Sequence, residues 1–310
     1  MLKTLSNKFY YRWIILLLLA VMSKNALAQT GADAIMIPKN TFCAGAMYSN
    51  NSWTNYWEGT LKRNNLNLGH VTTNMYMAMA NYGITSRLNI LANVPYVTTH
   101  ASAGTLAGMH GLQDISVTLK WVPLRANIGQ GKLSILAIGT YVQPLTSYVA
   151  DFMPMSIGLH SRSLVGRLMG DYQYYHFFAT ASGEYIERGN ITIDRNSYYT
   201  TTLIYSNQVA MPDATVFNLR AGYRSARIIA EAVIEKITTL GGFDIRRNDM
   251  PFPSNRMNAT TTGVNFKYSF RSGLELTAGG DYVVAGRNVG QSTTIHGGAY
   301  YLFSLNRKKP

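Results

Sequence analysis

The sequence predicts an all-β fold, an antiparallel transmembrane β-barrel of about twelve strands behind an N-terminal signal peptide. Three observations lead to this fold class. Apolar and polar residues alternate along most of the chain, the links between predicted strands alternate in length, and only 14% of the 310 residues are charged. Soluble domains are usually about a quarter charged. The 21 Tyr argue against disorder, and a single Cys, Cys43, excludes a disulfide scaffold.

The first 28 residues have the layout of a secretory signal peptide. Lys3, Lys8 and Arg12 precede an apolar run at 13–22, and small residues stand before Gln29. This run is too short to span a bilayer as a helix, so we predict cleavage after Ala28. Removing three Lys and one Arg from the 28 basic residues leaves 24 basic and 15 acidic residues, a net charge of +9.

Period-two alternation defines the strands. Every second residue is apolar in 115–121 and in 264–270, and Met75, Met77 and Met79 repeat the pattern. We expect the apolar face of each strand to meet lipid. The pattern predicts twelve strands, at 41–48, 70–81, 88–98, 112–123, 132–145, 158–169, 173–187, 214–224, 227–238, 260–270, 274–284 and 293–304.

The links between these strands are alternately short and long. The short links are 82–87, 124–131, 170–172, 225–226 and 271–273, and the longer ones are 49–69, 99–111, 146–157, 188–213, 239–259 and 285–292. Short periplasmic turns opposite longer external loops are typical of bacterial outer-membrane barrels. We therefore predict a location in the cell outer membrane.

The chain divides into three predicted parts. Residues 1–28 are the signal peptide, 29–40 are a periplasmic leader or a small plug, and 41–310 form the barrel. The plug is one of two alternatives for 29–40 because the stretch at 34–38 (AIMIP) is apolar. A disordered leader is the other.

Two segments resemble a known family. Residues 111–121 (GLQDISVTLKW), and residues 82–88 (YGITSRL) leading into 93–97 (NVPYV), are similar to outer-membrane proteins grouped under the meta-pathway of phenol degradation. That family is thought to be related to barrels that carry hydrophobic compounds inward, such as the long-chain fatty-acid transporters. The resemblance runs from about residue 70 to the last strand. It implies passive uptake of small hydrophobic or aromatic compounds.

Eight charged residues share the predicted inner face of the barrel. They are Lys120, Arg167, Arg220, Glu231, Glu235, Lys267, Glu275 and Asp281. With a two-residue turn at 225–226, Arg220 lies opposite Glu231, and Lys267 is within diagonal reach of Glu275. The mixed signs favour a lattice of ion pairs that braces the interior. A charged filter for ions is the alternative.

Pro95 and Pro144 interrupt predicted strands. Proline cannot donate a ladder hydrogen bond, so in sheets it favours edges and bulges. One interpretation is that both mark strand ends near the external rim. The other is a kink in the wall, at which Pro95 lets apolar ligands leave sideways into the bilayer.

We expect no catalytic residue, cofactor or metal. His160 and Ser161 are neighbours and face opposite sides of a strand, as do His160 and Ser163, and the six His show no metal-ligand spacing. A structural or adhesive barrel that acts through loops 188–213 and 239–259 is the alternative function. An outer-membrane lipid hydrolase is the third.

The expected partners follow from the membrane location. They are outer-membrane lipid and lipopolysaccharide, the barrel-assembly machinery and a small hydrophobic solute. Arg188, Arg195 and the pair at 246–247 are candidates for contacts with lipopolysaccharide phosphates. We expect no nucleic acid, because three basic residues at a terminus, 307–309, are usually solvated.

Overall fold

A computed structural model describes residues 31–247 and 249–305. The predicted signal peptide and the basic tail at 307–309 lie outside these residues. Twelve long antiparallel strands form one sheet that closes on itself, which confirms the predicted fold class. The strands, β1 to β12 in chain order, are Thr41–Trp53, Val71–Gly83, Leu88–Ala101, Asp114–Ile128, Gly131–Pro144, Ser163–Tyr174, Phe177–Arg188, Asp213–Arg224, Ile228–Leu240, Asn258–Ser269, Leu274–Arg287 and Thr293–Ser304.

The barrel is a simple meander. Each strand pairs with its neighbours in the chain, and β1 closes the cylinder by pairing with β12 as well as with β2. Closure pairs the first strand of the sheet with the last, so the described sheet has no free edge strand whose backbone groups hydrocarbon could not satisfy. Within the described ranges there is no α-helix of the length and hydrophobicity needed to cross a membrane.

The short turns and the long loops lie at opposite ends of the barrel. The start of β1 and the end of β12 lie at the short-turn end, where the amide of Asn40 donates to the carbonyl of Gly83 and the amide of Leu305 donates to the carbonyl of Asn40 (2.8 Å each). The long loops lie beyond the other end. Two of them contain short hairpins, such as Asn55–Glu58 with Leu61–Asn64.

The largest difference from the predicted boundaries is β6. The alternation predicts 158–169 with a turn at 170–172, but the strand is Ser163–Tyr174. Gly170 resembles a turn residue but lies within the ladder, opposite Ile135. The turn instead uses Tyr175, whose φ of 52° is in the left-handed region. A bulky residue is rare in that region, so the sequence gives no sign of this turn.

The outer face is apolar and carries aromatic residues in two bands. Leu168, Leu219 and Ile234 lie between the bands and are more than half exposed on the outer surface. This is the arrangement of lipid-facing surfaces with interfacial girdles. The exposed rings near the short turns are Tyr172, Tyr174, Phe177, Tyr223, Phe270, Tyr301 and Phe303, and those nearer the loops are Tyr48, Tyr76, Tyr96, Tyr141, Tyr185 and Tyr282.

One strand reverses the expected relation between its faces and the lipid. On β2, Met75, Met77 and Met79 point into the barrel, while Tyr76 and Ala78 are exposed on the outside. The prediction that the more apolar face meets lipid is therefore wrong for β2. The physical reason is that the lumen is itself partly apolar, so hydrophobicity alone does not distinguish its two sides.

The long loops pack into a cap above the barrel. Side chains from loops 145–162 and 189–212 form one buried cluster, and Phe252 of loop 241–257 packs against it. Phe252 stacks on Tyr198 with ring centroids 5.4 Å apart. A second cluster joins Met155 of loop 145–162 to Leu68 and Val71. These contacts give the external loops an ordered apolar core of their own.

Candidate functional site

The lumen contains a cavity of about 630 Å³. Its floor is the segment 31–37, which enters the barrel from the short-turn end. One wall, from β1 and β2, carries four thioethers: Met47, Met75, Met77 and Met79. We call these four residues the thioether wall. The facing wall, from β8 to β12, carries charged and amide side chains.

Segment 31–37 is held inside the barrel by polar and apolar contacts. The Lys120 ammonium lies 3.0 Å from Asp33 Oδ1, and Arg167 donates to the carbonyl of Gly31 (3.3 Å). Ile35 packs against Phe178 and Ile229. Ile37, which is fully buried, packs in a separate cluster with the inner-face residues Cys43, Tyr300 and Leu302.

The polar wall contains a continuous hydrogen-bonded chain. Arg220 donates to Glu231 Oε1 (2.6 Å), and Asn265 Nδ2 donates to the same oxygen (3.0 Å). Since Glu231 only accepts, the amide oxygen of Asn265 faces His296, whose Nε2 lies 3.0 Å away. His296 Nε2 is therefore the donor in that contact. On its other side, Nδ1 lies 3.5 Å from the Asp281 carboxylate.

Inward glycines make room for this chain. A side chain on Gly279 would overlap both Asn265 and His296, at 2.4 Å from each, and one on Gly263 would overlap the Asp281 carboxylate. The polar side chains therefore lie flat across the neighbouring strands. This keeps the centre of the cavity free of them.

All eight predicted lumen residues have their side chains on the inner face. Lys120 and Glu275 are completely buried. The ammonium of Lys267 lies 3.8 Å from Glu275, Arg167 Nε donates to Glu184 (2.5 Å), and Asn218 donates to Glu235 (2.9 Å). Cavity-lining members of the eight are Arg220, Glu231, Glu235, Lys267 and Asp281.

The register of Arg220 and Glu231 differs from the expected one. Arg220 is opposite Val233, and Glu231 is opposite Gly222, because the turn is longer than predicted and Arg224 pairs with Ile229. The ion pair still forms along the diagonal, within reach of the long Arg side chain.

Sequence reasoning missed a second set of inward polar groups near the short turns. Arg224 lies 3.0 Å from Asp171, which also accepts from Thr180 (2.6 Å), and its guanidinium stacks over Phe178 at 3.8 Å. Arg224 is four residues from Arg220 and so shares its face, which is a sequence pattern that identifies it. The predicted turn at 170–172 includes Asp171, which in the structure lies within β6. The alternation also gives no reason to select His296 or Glu184.

The two prolines occupy different positions. Pro144 is the last residue of β5, opposite Asp114. Pro95 lies within β3, opposite Met77 of β2. On its other side, β3 pairs with β4 as far as Asn93 and, from Tyr96 on, with the short strand His110–Leu112. Between these two pairings the Gln113 amide donates to the Pro95 carbonyl (3.0 Å).

The candidate hydrolytic residues lie in a loop before β6 or at its start. The His160 ring lies 3.2 Å from the carbonyl of Thr146, and Ser161 Oγ donates to the carbonyl of Gly189 (2.6 Å). Each side chain thus bonds to the backbone. Among the described residues, no three His, Cys, Asp or Glu side chains come together as a metal site.

Two titratable groups tie the external loops to the barrel. Burial, together with the hydrogen bond from the Tyr148 hydroxyl to Asp114 (2.7 Å), raises the pKa of Tyr148. In loop 241–257, hydrogen bonds from Arg287 and then from Asn288 lower the pKa of Asp244 to about 2. Both interactions fix a loop at the rim.

No protein-family model matches the chain, and no curated protein sequence is significantly similar to it. Solved structures do match. An outer-membrane channel from Pseudomonas putida F1 superposes with a TM-score of 0.70 at 13% identity, over 89% of this chain and 100% of that one.

Two further barrels are more distant. The β domain of the Bordetella autotransporter BrkA has a TM-score of 0.46 at 12% identity, over 86% of this chain and 100% of that chain. A deletion mutant of the TodX monoaromatic hydrocarbon channel has a TM-score of 0.45 at 9% identity, over 87% and 91%. The chain therefore shares its overall fold with the outer-membrane channel of Pseudomonas putida.

Proposed function

We propose that this protein is an outer-membrane channel for the passive passage of small hydrophobic or aromatic compounds. The observation that carries the proposal is the cavity inside the barrel, about 630 Å³ in volume, with the thioether wall on one side. Cavities of about 300–1,000 Å³ lined mainly by apolar groups are typical of small-molecule sites. Methionine adapts to apolar ligands of varied shape. The fold shared with the Pseudomonas channel supports the same class of function.

A cavity-filling variant tests this proposal. Met77→Trp places a large ring in the cavity, while Ala78→Trp places the same ring on the lipid face of the same strand. In proteoliposomes that contain the refolded barrel, we expect Met77→Trp to slow the entry of an uncharged aromatic solute several-fold. Ala78→Trp serves as the matched control. Equal rates in both variants would refute passage through the cavity.

We further propose that apolar solutes leave through the wall beside Pro95. Segment 31–37 contacts the inner wall between the cavity and the short turns, and a segment in this position would have to move to open a direct path to the periplasm. The ladder is interrupted between Asn93 and Tyr96, where proline has no amide to donate. Pro95→Val is expected to reduce uptake of an apolar solute while the barrel stays folded. Unchanged uptake excludes this exit.

An adhesive function is the second candidate, and the ordered cap favours it. Tyr205 at a loop tip is 84% exposed, and the Arg246 guanidinium stacks 3.9 Å over Tyr199. Such exposed aromatic and basic groups are common in binding surfaces. Replacing 195–206 by a short Gly-Ser linker separates the two functions, because an adhesin loses cell or matrix binding and a channel keeps its permeability.

A further inference from the structure

We propose that the thioether wall also forms a binding site for one soft monovalent cation, Ag⁺ or Cu⁺. This site is independent of the passage of apolar solutes. Its centre is the pair Met47 and Met77, and Met75 supplies a third sulfur.

The strand register brings these residues together. Met47 of β1 is directly opposite Met77 of β2, and directly opposite residues have Cα atoms about 4.5–5.5 Å apart. Met75 is two residues along β2 on the same face, roughly 6.7 Å from Met77 at the usual rise of a strand. The three rotatable bonds of each Met side chain allow the sulfurs to converge on one point.

The surroundings leave the central pair accessible. On the other side of Met47 the neighbour in β12 is Gly298, over which the hydroxyl groups of Tyr300 and Thr277 lie. Met79 is already engaged, because its sulfur accepts a hydrogen bond from the Tyr300 hydroxyl (3.4 Å). Met75 packs against Val97 and Tyr148 below the cap. Both Met47 and Met77 line the cavity.

The chemistry of the donors selects the ion. Neutral thioethers are soft ligands that suit Cu⁺ and, by the same argument, Ag⁺, whereas Ca²⁺ and Mg²⁺ require oxygen ligands. The thioethers supply no charge to balance the cation. Two carboxylates of the cavity lining supply it: Glu235, which accepts a hydrogen bond from the neutral Asn218 amide, and Asp281, which lies beside the His296 imidazole.

The competing interpretation is that the methionines provide only an adaptable apolar surface. Leucine would then serve equally well, because Leu and Met have similar volume and polarity. A Met→Leu exchange therefore removes the soft ligand and keeps the apolar wall. This substitution separates the two interpretations.

The test is calorimetric titration of the detergent-solubilised full barrel with silver nitrate in chloride-free buffer. Every protein carries Cys43→Ala, because the free Cys43 thiol would also bind Ag⁺. We expect one Ag⁺ per chain. The Met47→Leu/Met77→Leu variant should lose at least about tenfold in affinity, since even outer-shell changes cost about 10–100-fold.

The matched control is Met169→Leu/Met211→Leu, which removes two buried thioethers that do not line the cavity. It should retain the parental affinity. Equal affinity in the two double variants, or no stoichiometric binding by the parent, would overturn the proposal. His296 is present in every protein, so binding by histidine alone also gives equal affinities. Solute permeability measured on the same variants distinguishes this result from failure of the channel function.

Discussion

At the scale of single residues, charge in the lumen occurs almost entirely as pairs. Lys120 is completely buried, and an isolated buried ammonium would cost several kcal/mol. Asp33 compensates it at 3.0 Å. The pair therefore explains how a lysine is tolerated there and why segment 31–37 is held inside the barrel.

Lys120→Met is expected to destabilise the protein by about 3–5 kcal/mol, because it removes the buried ammonium that compensates the charge of the Asp33 carboxylate at 3.0 Å. Urea unfolding of the barrel in detergent measures the loss. The Asp33→Asn/Lys120→Met variant is the control, and it should recover most of the stability because no lone charge remains. Equal stability of the single variant and the parent would show that the pair contributes nothing.

At the scale of elements, segment 31–37 lies inside the barrel, and the external loops pack into a cap above the end opposite the short turns. Segment 31–37 makes polar contacts with Lys120 and Arg167 and buries Ile35 and Ile37. We propose that it acts as a plug. Residues 31–37 take part in none of the described strand pairings, so we expect their removal to leave the closed β-ladder intact.

Deletion of 31–37 is expected to raise the single-channel conductance of the barrel severalfold, since the short-turn end of the lumen is then no longer filled. Planar-bilayer recording compares the deletion with the parent. Ile35→Ser/Ile37→Ser is a milder variant that should give an intermediate conductance or frequent transitions. A conductance identical to that of the parent would contradict the plug.

One ionised carboxylate, that of Asp244, helps to hold loop 241–257 at the rim. The pKa of Asp244 is lowered to about 2, chiefly by the hydrogen bond from Arg287. An acid with a lowered pKa stabilises the docked state fully above its ordinary pKa, 3.8, and loses this contribution as the pH falls towards about 2.

A fluorophore on Met250→Cys, with Cys43 replaced, reports the mobility of this loop. We expect its anisotropy to remain constant from pH 7 to about pH 4 and to fall between about pH 4 and 2. In Asp244→Asn the anisotropy should be low at every pH. A fall in anisotropy near neutral pH in the parent would show that a titratable group other than Asp244 holds this loop at the rim.

At the scale of the whole molecule, the barrel separates two chemical environments that use similar residues. The outer surface is apolar because it meets lipid, and the thioether wall is apolar inside. The cap and the short turns then give the barrel two distinct ends.

The difference between the two ends of the barrel predicts its orientation in the outer membrane. An epitope inserted at 200–202, in the cap, should bind antibody on intact cells, because long loops of such barrels face outward. The same epitope inserted at 129–130, in a short turn, should bind only after the outer membrane is permeabilised. The reverse labelling pattern would show that the barrel has the opposite orientation in the membrane.

Most of the barrel follows from the sequence because strand formation beside lipid is a local property. Alternation with a period of two places β3, β8, β11 and β12 within three residues of their observed bounds. The inward position of residues such as Arg220 and Lys267 follows from the same parity. The alternation of short and long links likewise indicates which end of the barrel carries the turns and which end carries the loops.

Other features depend on the closed barrel. Register depends on turn geometry, so the opposition of Arg220 and Val233 could not be predicted from residue types. The inward face of Met75, Met77 and Met79 is set by pairing around the whole cylinder, since apolar side chains suit lipid and cavity alike. The position of 31–37 depends on contacts with strands far away in sequence. The alternation of apolar and polar residues therefore determines which segments form the barrel wall. Closure of the barrel determines which side chains face one another in the lumen.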